Sequence, residues 1–561
     1  SCVLVSVIVL VATIVDILVK AHVDDLVKQH GEAQRARIEL GVAQVKALWK
    51  KEDGDFDAFV KEHFISDPKQ LELTFQHFQS NLEQIDGHFL EIGREVRKVT
   101  ELELGPKTPA DDIFATWEPA AHVTDDFFAN KLAFIALLNW PLTTLKTRLA
   151  EGKGWSREQW AQARLTGRFA RRVPAEVTQG IAKASALGNQ YIDEYNVWMH
   201  HLLTDSGERL FPPKMKLISH WNLRDELKAN YADTAKGLEK QRMIVKVMER
   251  IVTQTIPAAV IDNPNVDWNP YSNKVTVAPA AEVEEGAPKR PPDTSGKAEA
   301  DVRYTRLWSN FEASKKADPY SPATPTAIDR AFDLGAEMPE ARVTELLTSV
   351  MASPLVPKVA AQMEKRLGRK LEPVDLWYNG FVPRGKIPEE KLSEMTRKKY
   401  PTADAFAKDI PRILKDLQFP PDQAKFLSEH LLVDPARGAG HALQAMRRGD
   451  FPHLRTRVMP DGMDYKGYNI AVHELGHNIE QLYSLYEVDH TLLTGVPNTA
   501  FTEALAFVFQ AKDLELLGLS KPDAETERLR VLNDFWMTYE IAGVALVDVA
   551  VWHWMYEHPR A

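Results

Sequence analysis

The chain has a single cysteine, Cys2, among its 561 residues. This excludes an internal disulfide and a zinc site built on cysteine thiolates, so any bound metal must be held by histidine and carboxylate. A basic balance is also missing. Lys and Arg number 69 against 79 Asp and Glu, for a net charge of −10, which gives no support to nucleic-acid binding, where a basic face is needed. No fixed repeat period runs along the chain, which argues against a helical-repeat solenoid, and strand-like alternation is scarce. An apolar run stands apart at the start, SCVLVSVIVLVATIVDILV, where residues 2–15 carry no charge. That run is shorter than the roughly 20 residues a membrane helix needs. It reads as the remnant of a signal or anchor, as a buried helix, or as a stretch not native to the chain. Membrane association is expected only if it is a genuine anchor. The scarcity of cysteine suits the cytoplasm and equally an exported, cell-envelope protein free of disulfides.

What is present is ordinary globular composition, 44% hydrophobic and 26% charged, in a chain long enough for several cores or one large helical body. Beyond the apolar segment 1–19, residues 20–255 read as helix after helix. His200-His201 falls in this region. Adjacent helical residues point about 100° apart, a poor arrangement for two ligands, so the pair reads as part of a helix face. Residues 256–302 gather Pro, Asn, Asp and Gly and read as an irregular connection. Helices return over 303–561, including a pair across 340–367 broken at Ser353-Pro354. Gly438 and Gly440 interrupt them, residues 453–458 predict a strand, and residues 463–468 a further extended piece. The expected class is mainly α, with a small antiparallel sheet just before the helix described next.

That helix opens the stretch AVHELGHNIEQLYSLYEVDHTLLTGVPNTAFTEALAFVFQ. His473-Glu474-Leu475-Gly476-His477 is an H-E-x-x-H. On a helix, residues four apart share a face, so both imidazoles reach one ion, while Glu474 projects beside it, placed to take a proton from a metal-bound water. In a chain with 17 histidines and 79 acidic residues, the chance count of His-acid-x-x-His is about 0.07, so coincidence is a poor account. Leu475, Ile479, Leu482 and Tyr486 form a buried stripe at helical spacing. Gly476 opposes helix by roughly 1 kcal/mol and is best explained by another backbone passing close. The helix should end before Gly495 and Pro497. A second should start near Asn498 or Thr499, both good caps, with Ala504, Leu505, Val508 and Phe509 as packing positions. Catalytic zinc takes three protein ligands and an open position. Glu503, on the second helix, supplies the third, with Glu480 and Glu487 as nearer alternatives.

The arrangement resembles the gluzincin metallopeptidases, and among them the thimet oligopeptidase-like family and its bacterial relatives. The match lies at His473, Glu474, Gly476, His477 and Glu503, about a tenth of the chain. The resemblance implies a mostly helical, two-lobed body with a deep channel, one zinc ion, and cleavage of short peptides rather than folded proteins. Glycine-rich chain before the zinc helix is similar to the family's substrate edge, which maps onto Gly438, Gly440 and His441, although His441 also reads as a plain loop histidine. The family uses a downstream tyrosine or histidine as a second oxyanion donor. Tyr539, His553, Tyr556 and His558 are the candidates here, and their short spacing from Glu503 suggests that the true donor follows Ala561. The expected function is therefore hydrolysis of short peptides by water activated at zinc and Glu474. The alternatives are an inactive zinc- or peptide-binding protein that keeps the fold, or a helical interaction protein with a coincidental motif.

Overall fold

The structure, a computed structural model, describes residues 20–219, 221–286, 290–382, 387–495, 498–519 and 523–559. The apolar start and the turn signal at Pro497 lie outside the described residues. The fold is mainly α with small sheets.

Four clusters of buried side chains organise the molecule. The first gathers Ile38, Val42, Phe59, Phe134 and Leu137 from short helices with Phe75, Phe78 and Leu82 of the 34-residue helix Pro68–Glu101. That helix begins where sequence rules place it: Asp67 caps it by accepting from the Gln70 amide at 2.8 Å, and Pro68 occupies its first turn. Leu493, from the segment after the H-E-x-x-H helix, is buried in the same cluster.

The second cluster is built on helices Trp221–Ala229 and Gly237–Val252 and two antiparallel strand pairs. Strands β1 (Asn196–Trp198) and β2 (Lys216–Ile218) form one pair, and β3 (Val266–Asn269) and β4 (Lys274–Val277) the other. The second pair corrects the reading of 256–302 as wholly irregular. Trp268 is 1% exposed, and its indole donates to Asn273 Oδ1 at 3.0 Å across a turn in which Asn273 takes a φ of 62°. Burial of one tryptophan and two valines, with Asn supplying the left-handed residue, offsets the weak strand character of so short a hairpin.

The third cluster surrounds the H-E-x-x-H helix, Tyr465–Glu487, and takes in Leu454, Tyr468, Val472, Leu475, Ile479, Leu482 and Phe509. Ahead of the helix lies a three-stranded sheet in the order β5 (Leu432–Pro435), β7 (His453–Thr456), β6 (His441–Leu443). The β6–β7 pair is antiparallel, and β5 joins the other side of β7 in parallel. The expected extended piece at 463–468 is instead the start of the helix: Asp464 caps it by accepting from the Gly467 amide at 2.7 Å.

A fourth, smaller cluster joins Val359, Met363, Tyr378 and Phe381 to Leu529 and Trp536 of the C-terminal helix Ala524–Glu557. That helix is long and apolar enough to cross a membrane by length and composition alone. It is nonetheless held to the rest of the chain. The Trp536 indole donates to the Leu376 carbonyl at 2.9 Å, and the buried Glu540 carboxylate pairs with Arg224 and with Lys228 at 3.0 Å. The expected helix pair is present as Glu340–Met351 and Val356–Leu367.

Candidate metal centre

His473 and His477 stand one turn apart on the same face of Tyr465–Glu487, with ring centroids 4.9 Å apart. The chain then turns, and Asn498 caps a second helix, Thr499–Gln510, by accepting from the Ala500 amide at 3.0 Å. The two helices pack against each other at Gly476. A Cβ placed there would lie 2.7 Å from Cα of Ala506 and 3.3 Å from Cβ of Phe509, so only glycine admits this approach. The packing side chains of the second helix are Ala506 and Phe509, with Leu505 partly buried. Ala504 and Val508, expected to pack, are exposed, Val508 at 62%. The helix is rotated so that Glu503, rather than an apolar side chain, faces the two histidines.

The result is a convergence of three donors. His473 Nε2 lies 3.3 Å from one Glu503 oxygen and His477 Nε2 lies 3.5 Å from the other. One ligand atom from each of the three residues lies within 4.8 Å of the others. Zinc bonds of about 2.0–2.1 Å in a tetrahedral arrangement separate neighbouring donors by about 3.3 Å, so the donor type suits zinc and the two histidine-to-Glu503 separations match that spacing. Among the described residues this is the one such cluster. Glu480 and Glu487, the alternative third ligands, stand outside it. Glu480 accepts from the Ser484 hydroxyl at 2.6 Å, and Glu487 is the exposed last residue of its helix.

The electrostatics separate the two carboxylates. Hydrogen bonds from His473 and His477 hold the Glu503 carboxyl down at about 2, so it is an anion at any working pH. Glu474 is 8% exposed, and burial pushes its carboxyl above the ordinary value against the pull of both imidazoles. For His477, burial opposes protonation, but the Glu503, Glu474 and Glu480 carboxylates together outweigh it and raise the imidazole.

The small sheet reaches this centre directly. The Ala442 amide of β6 donates to Glu474, and among the described residues β6 pairs with β7 alone. Gly440 is needed for this approach, because a side chain there would run into Ile470 of the helix Tyr465–Glu487. Gly438 faces the Asp193 carboxylate closely in the same way. His441 lies on β6 itself and donates from Nδ1 to the Ala439 carbonyl at 3.2 Å. Burial, with the Arg455 guanidinium opposite it on β7, pushes its imidazole down.

The four downstream candidates for a second donor are engaged elsewhere. The Tyr556 hydroxyl accepts from the Ala327 amide at 2.7 Å and donates to Asp318 at 3.1 Å. His553 pairs with Glu340 at 2.7 Å, and His558 donates to the Trp554 carbonyl at 2.9 Å. Tyr539 packs on Trp536 with ring centroids 5.0 Å apart. The His200-His201 pair is no helix face. It sits buried in a short 3-10 turn, where His200 bridges the Phe211 carbonyl and Glu282, and His201 bridges Asp267 and Glu284.

Sequence reasoning passed over the residues behind His473. Gln510 Oε1 lies 3.2 Å from His473 Nδ1, and Asn469 and Asp513 continue the contact inward. The spacing held a signal: Asn469 is one turn before His473, and Gln510 two turns after Glu503. Phe507 was also missed. Its ring meets the His473 ring edge-on at 5.0 Å and is 48% exposed at the rim of the centre. No protein-family model, curated protein or solved structure matches this chain.

Proposed function

We propose that this chain is a zinc-dependent peptidase acting on short peptides, of the gluzincin type and similar to the thimet oligopeptidase-like family. The observation that carries the reading is the convergence of His473, His477 and Glu503 beside a buried Glu474 that also meets the open edge of β6. Bound there, one zinc ion would supply Lewis acidity to a water and to a substrate carbonyl. The chain's own residues do the rest. The free edge of β6 binds an extended peptide by backbone hydrogen bonds, which accepts varied sequences because it reads the main chain. Glu474, whose carboxyl is raised above its ordinary value by burial, takes the proton of the attacking water on its carboxylate and returns it to the leaving amine. Phe507 offers an apolar surface at the rim.

The test is hydrolysis of internally quenched short peptides by the zinc-loaded protein beside a Glu474→Gln variant of equal zinc content. Cleavage by the parent and a loss of 10²-fold or more in the variant is expected. Zinc binding by both with cleavage by neither would overturn the peptidase reading. A second reading, a zinc- or peptide-binding protein without turnover, is favoured by one observation. Tyr556, His553 and His558 spend their hydrogen bonds on Asp318, Glu340 and the Trp554 carbonyl, away from the metal centre.

A further inference from the structure

Behind His473 runs a chain of hydrogen bonds with only one possible direction. Asp513 is 7% exposed, and its carboxylate can only accept. It accepts from the Tyr465 hydroxyl and, at 2.6 Å, from the Asn469 side-chain amide. That fixes which end of Asn469 carries oxygen, and this oxygen accepts from Gln510 Nε2 at 2.7 Å. Gln510 must then present its own oxygen, Oε1, to His473 Nδ1 at 3.2 Å. An oxygen facing a ring nitrogen requires that nitrogen to carry a proton, so when a metal ion replaces the proton that Nε2 shares with Glu503, the remaining proton stays on Nδ1 and the Nε2 lone pair is the one turned to the metal. The direction of every bond in the series is thus set by one buried anion three links from the imidazole.

We propose that Gln510, oriented through Asn469 by Asp513, is the positioning residue that sets the tautomer and aim of His473 as a metal ligand. This rests on the metal reading above. A neutral amide in this place holds the ring without adding negative charge beside the metal, whereas a carboxylate would hold it and also raise its basicity. Asn469 and His473 belong to the metal helix, Gln510 to the glutamate helix and Asp513 to the short helix that follows it. The series therefore also ties the histidine-bearing helix to the element that carries Glu503.

The experiment measures zinc affinity by competition with a chromophoric chelator, at one pH, for the full chain and for the Gln510→Leu, Gln510→Glu, Asp513→Asn and His473→Ala variants. Unfolding midpoints of the metal-free proteins are recorded in parallel. The expected results are one tight zinc in the parent, loss of that site in His473→Ala, and a 10- to 100-fold weaker affinity in Gln510→Leu. Gln510→Glu, which keeps an acceptor, should bind at least as tightly as the parent. Asp513→Asn, which frees the amides to flip, should weaken binding in the same direction without touching His473. A parent that binds no zinc, or binds it equally after His473→Ala, defeats the metal reading itself. If the parent site depends on His473 while Gln510→Leu or Asp513→Asn binds as tightly as the parent, the positioning role is overturned and the metal reading stands. It is likewise overturned if Gln510→Glu is as weak as Gln510→Leu. Should Gln510→Leu unfold, Asp513→Asn and Gln510→Glu still decide the matter.

Discussion

Glu474 and Glu503 share one small space but differ in environment. Two imidazoles face Glu503 and keep it ionised, while burial makes Glu474 the more basic group. That Glu503 would meet His473 and His477 while Glu474 stands beside them was legible in the sequence from helical spacing and ligand chemistry. The residues that orient His473 were not, because a contact between Gln510 and His473 depends on how two helices cross, which neither helix's sequence states. Asp193 shows the same physics outside the centre. Burial, with the Glu101 carboxylate nearby, pushes its carboxyl from 3.8 up to about 6. The folded state therefore holds the proton more tightly than the unfolded chain does, and ionisation opposes folding. The cost is nil below about pH 4, grows as pH rises through the interval to about 6, and is complete above it. Asp193→Asn is expected to stabilise the protein at pH 7.5 by up to roughly 3 kcal/mol and to have no such effect at pH 4. Urea unfolding at the two pH values checks this, and equal effects at both would refute it.

The pairing of the metal helix with the glutamate helix decides whether three donors meet. Gly476 foretold that pairing as a helix-disfavouring residue at a place where a second backbone had to come close, and Ala506 is that backbone. A Gly476→Ala change would force the helices apart. It is expected to cost about 1–3 kcal/mol from overpacking and to weaken zinc binding by displacing Glu503. Chemical unfolding and chelator competition measure the two effects, and a variant that keeps parental stability and affinity would count against the close approach. The cap at Asn498 and the break at Ser353-Pro354 were equally legible, because they follow from local backbone chemistry. The β3–β4 hairpin was hidden because its alternation is brief and half polar, Val266-Asp267-Trp268-Asn269. The parallel pairing of β5 with β7 was hidden because it joins strands separated by β6. The exposed positions Ala504 and Val508 were misassigned for a related reason: helical periodicity gives a stripe but not which neighbour turns it inward.

Parts of the chain far apart in sequence clamp the metal region. Lys466, in the first turn of the metal helix, lies between Glu226 at 2.8 Å and Glu389 at 3.2 Å. Arg448 pairs with Glu83 at 2.7 Å, and Arg157 pairs with Asp489 at 2.6 Å. The Lys466 bridge is the one buried on both sides: the Lys466 side chain is 16% exposed, against 53% for Arg448, and Glu226 is buried. Lys466→Met leaves that carboxylate without its cation and is expected to destabilise the chain by about 3–5 kcal/mol, read by urea unfolding. A loss near zero would show that the bridge does not hold the two regions together. Such clamps explain why the helical class was readable from composition and periodicity while the assembly was not, since long-range ion pairs leave no local pattern. The proposed function stands or falls on whether His473, His477 and Glu503 hold a single zinc ion. X-ray absorption of the zinc-loaded full chain addresses that claim most directly. One zinc per chain is expected, with nitrogen and oxygen ligands near 2.0–2.1 Å, scattering from two imidazoles, and loss of that signature in His477→Ala. No stoichiometric zinc, or a signature unchanged by His477→Ala, would contradict it.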